Sequence, residues 1–199
     1  MDREGSGEPQ GGAPVNRYDG VAALPQDMEP TVVTVGMFDG VHRGHRALLD
    51  RVVAEAAGRG LPAAAVTFDR HPLAVLRPGS QPPLLSTLDR KVELLGRAGM
   101  DLVLVLSFTE ELSQVGAEAF ATEVLFDALA ARAVVVGENF RFGHKAAGDV
   151  AAAAAGTPRA AASAATRSSR ARWPRWTPSN IPTVTTVGSM ASGRAASPS

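Results

Sequence analysis

The chain has 199 residues, 45% of them apolar, with twenty Lys and Arg against twenty Asp and Glu and no cysteine. That suffices for one domain with a sizeable core, and it excludes a disulfide framework and any thiolate metal site, so the cytoplasm is the expected compartment. The zero net charge joins two unlike segments: residues 1–150 carry 14 − 20 = −6, while residues 151–199 carry six bases and no acid, +6.

Residues 1–15 are acidic and rich in Gly and Pro, and no basic stretch leads into an apolar one; a disordered extension is expected there, neither signal peptide nor anchor. No apolar run approaches the roughly 18 residues a spanning helix needs, so no membrane partner is expected. Thr31-Val32-Val33-Thr34-Val35 predicts a buried strand that stops at Gly36. A glycine-bounded turn follows, and then residues 46–57, with Leu48, Leu49, Val52, Val53 and Ala56 at helical spacing, predict an amphipathic helix ending at Gly58 and Gly60. Residues 63–68 form the next strand. A Pro-rich loop over 71–83 leads to a helix over 88–98, closed by Gly99, and then to the strongly apolar strand 102–106, expected at the sheet centre. Ser113 is a candidate cap for a third helix running to Leu129, and residues 133–136 supply a fourth strand.

Continuous apolar strands separated by helices predict a Rossmann-like, doubly wound parallel α/β sheet covered on both faces. In such sheets ligands bind at the carboxyl ends of the strands, so the loops after Val35, Phe68, Leu106 and Val136 are expected to share one rim. The segment 151–199 reads differently. It has 14 Ala, six Arg, no acid, no Leu and no Phe, and its β-branched aliphatics are Ile181, Val184 and Val187. Too little apolar surface can be buried there to offset chain ordering, so a mostly disordered tail is expected. A shifted reading frame in a GC-rich gene yields such a composition, and a natural basic linker is the other reading. An apolar sheet edge left bare where a last strand is missing is a further expectation.

The first loop reads Gly36-Met37-Phe38-Asp39-Gly40-Val41-His42-Arg43-Gly44-His45 and enters the helix. Two histidines three apart at a helix start point the same way, where free N–H groups and the positive end of the macrodipole favour an anion. Gly44 leaves room for close approach, and Gly36 and Gly40 permit tight turns. Three readings stay open on the residues alone: surface histidines, an H-x-x-H metal pair with His71 or His144 as a third ligand, and a phosphate site. The P-loop and dinucleotide fingerprints fail on spacing.

A strand, then G-x-F-D-G-x-H-x-G-H, then a helix resembles the HxGH nucleotidyltransferases, and the wording around Asp39 is similar to the bifunctional riboflavin kinase and FAD synthetase family of bacteria. Thr67-Phe68-Asp69-Arg70-His71-Pro72 resembles its second loop, with Arg70 where a proline is common. Residues 88–108, with Lys91, Leu94, Leu95, Gly99 and Asp101, resemble its third segment, and Gly137-Glu138-Asn139-Phe140-Arg141-Phe142-Gly143-His144-Lys145 with Gly148-Asp149 its fourth. Arg17-Tyr18-Asp19-Gly20 resembles its opening, so coverage runs over about 16–150, an incomplete nucleotidyltransferase domain.

The resemblance implies FMN adenylyltransferase activity: AMP passes from ATP to FMN, giving FAD and pyrophosphate, with Mg²⁺ neutralising phosphate oxygens. It implies catalytic His42 and His45, a nucleotide site that includes Gly36, Phe38, Asp39, Gly40, Gly44 and His71, and flavin contacts from Asn139, Phe140, Arg141 and Phe142. Of the two phenylalanines, one is as readily core as ligand. The family's later Ser/Thr-rich turn ending in arginine has no match after Val150, and a riboflavin kinase module is expected to be absent. A catalytically inactive flavin- or nucleotide-binding remnant is therefore the alternative to an active enzyme. A nucleic-acid arm in the arginine-containing tail is a third, less favoured reading.

Overall fold

Apolar runs that bury both faces of a strand build the centre of this molecule. The computed structural model describes residues 15–137, 140–144 and 148, and the backbone of 183–187. Strand β1 (Asn16–Asp19) precedes β2 (Thr31–Val35), whose five residues are all buried, as are the five of β4 (Leu102–Leu106). Between them lies β3 (Ala63–Phe68), and β5 (Ala131–Gly137) and β6 (Thr183–Val187) complete one sheet. Every pairing is parallel, in the order β1-β4-β3-β2-β5-β6. The order reverses between β3-β2 and β5-β6, so the crevice beside β2 is the topological switch point of a doubly wound fold.

Helices cover both faces. α1 (Arg43–Arg59) and α3 (Leu88–Arg97) bury Leu49, Val52, Ala56, Val92 and Leu95 against Val32, Ala63, Ala65, Val103 and Val135. On the opposite face Phe120, Ala121, Val124, Leu125, Phe126 and Leu129 pack on Val33, Val66, Leu104, Val134 and Val136. The short α2 (Leu73–Leu76) follows β3 within the Pro-rich stretch.

Several sequence expectations change. α1 begins at Arg43, three residues before the expected start, because the His42 ring supplies the cap. Ser113 is no cap. It is buried inside α4 (Glu110–Gln114) and donates its hydroxyl to the Glu110 carbonyl, while Thr109 caps that helix by accepting from Leu112 N–H. The expected single helix to Leu129 is broken at Val115 and Gly116; α5 (Ala117–Phe120) then runs into π-type turns over Ala121–Ala128. The expected bare edge is covered, since β6 pairs with β5 along five residues. Residues 183–187 hold five β-branched residues in a row, Thr183, Val184, Thr185, Thr186 and Val187, the composition that favours strands even inside an Ala- and Arg-rich segment. The rest of 151–199, and residues 1–14, lie outside the described residues.

Candidate functional site

The carboxyl ends of β2, β3 and β4 are tied into one rim by their own backbones. Gly36 N–H donates to Val66, Asp69 N–H to the Leu106 carbonyl, and Phe108 N–H to the Asp69 carboxylate at 3.0 Å. The Thr67 hydroxyl donates to the Met37 carbonyl at 3.0 Å. The loop after β2 therefore enters α1 from a fixed platform.

That loop is strained. Phe38, Gly40 and Val41 have φ of 48°, 65° and 40°, and the left-handed region costs a non-glycine residue roughly 1–2 kcal/mol. Burial holds the two side chains in place, with Phe38 1% and Val41 3% exposed. Asp39 closes the turn from the other side: its carboxylate accepts from Leu85 N–H (2.7 Å), Ser86 N–H (3.0 Å) and the Ser86 hydroxyl (2.8 Å). Burial acts to raise the Asp39 carboxyl, but these hydrogen bonds and the charge of Lys91 outweigh it and hold it below the usual carboxylate range.

The outcome is a pair of imidazoles at the mouth of α1. The rings of His42 and His45 stack with centroids 3.6 Å apart and planes at 18°. His45 N–H donates to His42 Nδ1 at 3.3 Å, which makes Nδ1 the acceptor and leaves a proton on Nε2. His45 rests edge-on against Phe38, centroids 5.3 Å apart. Its Nδ1 is buried and has no hydrogen-bond partner among the described residues. Burial, reinforced by His42 and opposed by Asp39, pushes the His45 imidazole down to about 4, so it is neutral at pH 7. The glycines serve this packing first. A Cβ on Gly44 would sit 3.2 Å from the His42 ring and one on Gly36 2.9 Å from the Phe38 ring. Phe38 thus lies beneath the site and acts on it through His45 and the loop backbone.

His71 is half-buried beside the rim, and its Nδ1 accepts at 3.1 Å from the N–H of Leu73, the first residue of α2. Asp69 faces the same end. Its carboxyl is raised by burial but more strongly lowered by Arg70 and by the Phe108 N–H, so it too stays below the ordinary range.

The loop after β5 is a hairpin in which Phe142 and Gly148 exchange both backbone hydrogen bonds. The Phe142 ring is buried and Phe140 stacks on it at 5.1 Å and 16°. Phe142 is therefore the core member of the pair. Arg141 is exposed and its guanidinium donates to the Phe140 carbonyl. His144 anchors the hairpin: its N–H donates to the Val115 carbonyl, and its Nδ1 lies 3.1 Å from the Ser113 carbonyl, an acceptor only, so Nδ1 carries the proton. Asn139 and Lys145 lie outside the described residues. His71 and His144 belong to different loops with separate partners, and among the described residues no three His, Asp or Glu side chains gather as metal ligands.

Sequence reasoning left Lys91 without a role. It is 2% exposed, donating to the Phe68 carbonyl at 2.8 Å and lying 3.5 Å from the Thr67 hydroxyl. The signal was legible: Leu88, Lys91, Val92 and Leu95 share the inward stripe of α3, and a lysine in such a stripe calls for a partner.

The sequence profile described as FAD synthetase matches residues 24–166. The chain belongs to the FAD synthetase family. It is 37% identical over 121 residues to the bifunctional riboflavin kinase/FMN adenylyltransferase of Escherichia coli K12, covering 61% of this chain and 39% of that protein. To the protein of the same name from Pseudomonas fluorescens it is 38% identical over 118 residues, 59% of this chain and 38% of the other. A putative one from Geobacillus thermodenitrificans shares 37% over 121 residues, 61% of this chain and 65% of that one. The chain thus spans about 39% of the length of the Escherichia coli relative. Among solved structures, one titled macrolide-efflux protein from Streptococcus pneumoniae superposes with a TM-score of 0.62 at 18% identity, over 87% of this chain and 50% of that one, a likeness of fold alone. Among the described residues no helix is long and apolar enough to cross a membrane.

Proposed function

We propose that this chain is an FMN adenylyltransferase, acting in the cytoplasm on ATP and FMN. A phosphate oxygen of FMN attacks the α-phosphorus of ATP, the bond from that phosphorus to the bridging oxygen of the β-phosphate breaks, and pyrophosphate leaves as FAD forms. No protein nucleophile is required. The chemistry consists of holding two phosphates in line and stabilising charge on the transferring group.

The stacked pair of imidazoles at the mouth of α1 carries this reading. A helix N-terminus receives anions, and here two rings are held there by a cap hydrogen bond, by Phe38 and by a strained loop tied to β3 and to residues 85–86. His42 and His45 donate N–H bonds to the triphosphate, and these strengthen as charge moves to the leaving pyrophosphate. Gly36, Asp39, Gly40 and Gly44 shape the loop around the nucleotide, and His71 adds a donor from the second loop. On the far side of the switch point Phe140 offers its ring face to the flavin, Phe142 supports it from below, and Asn139 and Arg141 supply polar contacts. Among the described residues the rim carboxylates are committed, Asp39 to Leu85 and Ser86 and Asp69 to Arg70 and Phe108. These donors do not fit a resident cation, so Mg²⁺ belongs to the substrate, as MgATP.

Incubating the purified chain with MgATP and FMN and following FAD by chromatography and pyrophosphate by a coupled assay tests the proposal. Equal amounts of both products support it. MgATP binding without FAD would instead identify an inactive nucleotide-binding remnant.

A further inference from the structure

A buried ammonium is expensive to keep. Lysine is almost never fully buried unless paired, and the desolvation penalty after relaxation is still several kcal/mol per ion. Lys91 is 2% exposed on the inner face of α3, beneath the ends of β2 and β3. Its ammonium donates to the Phe68 carbonyl, the last residue of β3, and reaches the Thr67 hydroxyl, which in turn donates to the Met37 carbonyl inside the loop after β2. One charged group thus joins two loops that leave adjacent strands. Two carboxylates answer it electrostatically, Asp39 in the first loop and Asp69 in the second. Asp39 in turn holds Leu85 and Ser86, and the Ser86 hydroxyl accepts from Gly40 N–H at 3.1 Å. The chain of contacts from Lys91 ends at the strained residues immediately before His42.

We propose that Lys91 is a positioning residue: its buried ammonium locks the loops after β2 and β3 together and so sets the placement of the His42–His45 pair. It touches no substrate and acts through Met37, Thr67 and Asp39. Burial lowers the ammonium's pKa while Asp39 and Asp69 oppose that shift, which keeps the charge coupled to the loop it organises. The hairpin after β5 is anchored elsewhere, on Ser113 and Val115, so the effect of Lys91 is confined to the phosphate side of the rim.

The role of Lys91 in catalysis rests on the adenylyl-transfer reading, and a ligand-free measurement makes it separable. In the unliganded protein, Lys91→Met is expected to shift the amide resonances of Gly40, Leu85 and Ser86 and to raise the titration midpoint of the Asp39 carboxyl. The Phe140 and Phe142 resonances should stay in place, and Lys91→Arg should restore most of the shifts. In the assay, the ATP KM is expected to rise on the order of 10- to 100-fold with the FMN KM unchanged, the signature of a misplaced site. Thr67→Val, which keeps the ammonium's bond to Phe68 but cuts the link to Met37, should show the same split in smaller measure and serves where Lys91→Met does not fold. The proposal is overturned if the loop resonances and the Asp39 midpoint do not move, or if both KM values change together while the melting temperature falls, as a merely structural lysine requires. Absence of MgATP binding in the unsubstituted protein would remove the adenylyl-transfer reading, and the ligand-free resonances would still decide the role of Lys91.

Discussion

Two loops on one rim are held by different physics. The loop after β2 is fixed by polar groups: Asp39 on Leu85 and Ser86, Thr67 on Met37, Lys91 beneath, and His42 capping the helix it enters. The loop after β5 is fixed by shape and by uncharged hydrogen bonds: Phe142 in the core, Phe140 stacked on it, Gly143 and Gly148 pressed on Ala117, and His144 bonded to Ser113 and Val115. Backbone strain concentrates in the first, at Phe38 and Val41, at roughly 1–2 kcal/mol per residue. Under the proposed function, the charged, pre-organised loop would take the phosphates and the aromatic hairpin the flat ring.

The largest effect expected from breaking this contrast is at the histidines. His42→Ala and His45→Ala should each lower the rate of FAD formation on the order of 100-fold or more, as loss of a pre-organised donor does, with the FMN KM little changed. The two variants should differ in stability. His42→Ala also removes the cap of α1, at about 1 kcal/mol. Initial rates together with thermal melts check both, and a histidine variant with full activity would leave the catalytic pair.

How much of this was legible follows from which forces leave a pattern in the chain. The strands β2 to β5 and the helix faces were readable because burial on both sides writes continuous apolar runs. β1 was not, since Asn16, Arg17, Tyr18 and Asp19 form an exposed edge with no such run, and β6 was hidden by the composition of its surroundings. The histidine pair was readable from spacing at a helix start. What spacing could not show is the destination of each small or polar side chain. Gly44 and Gly36 make room for His42 and Phe38, and Asp39 reaches 46 residues ahead to Leu85. Contacts of that range have no local period.

The hairpin gives the next effect. A Cβ at Gly148 would lie 2.3 Å from the Ala117 Cβ, and one at Gly143 would lie 2.5 Å from the Ala117 backbone nitrogen, at a φ of +73°. Gly148→Ala and Gly143→Ala should each cost about 1–3 kcal/mol by overpacking and raise the FMN KM while sparing that of ATP. Adding Ala117→Gly should relieve Gly148→Ala in part and leave Gly143→Ala unrelieved, because backbone atoms cannot be removed. Equal relief of both would show that the hairpin docks by something other than this contact. Smaller again is Phe140→Ala. An aromatic pair is worth about 0.5–1.5 kcal/mol beyond its buried area, so the FMN KM should rise about 2- to 10-fold at constant ATP KM, read by steady-state kinetics.

The smallest effect sharpens the first loop alone. His45 titrates near 4 in the folded protein, below its ordinary 6.5, because burial and the neighbouring His42 disfavour its charge. Between those two values the unfolded chain holds a proton that the folded chain does not. Stability from this group is therefore complete above pH 6.5, is lost as the pH falls toward 4, and changes no further below that. The ring is only half-buried, so solvent screening keeps the amplitude modest. Urea midpoints of the unsubstituted protein and of His45→Gln, measured every half unit from pH 4 to 7, should converge as the pH falls through that window. MgATP, which favours a protonated ring beside its phosphates, should flatten the slope of the unsubstituted protein and leave that of His45→Gln as it was. Superimposable pH profiles would mean that the imbalance of charge does not reside at His45, and that ring would lose its claim to be held neutral by its surroundings.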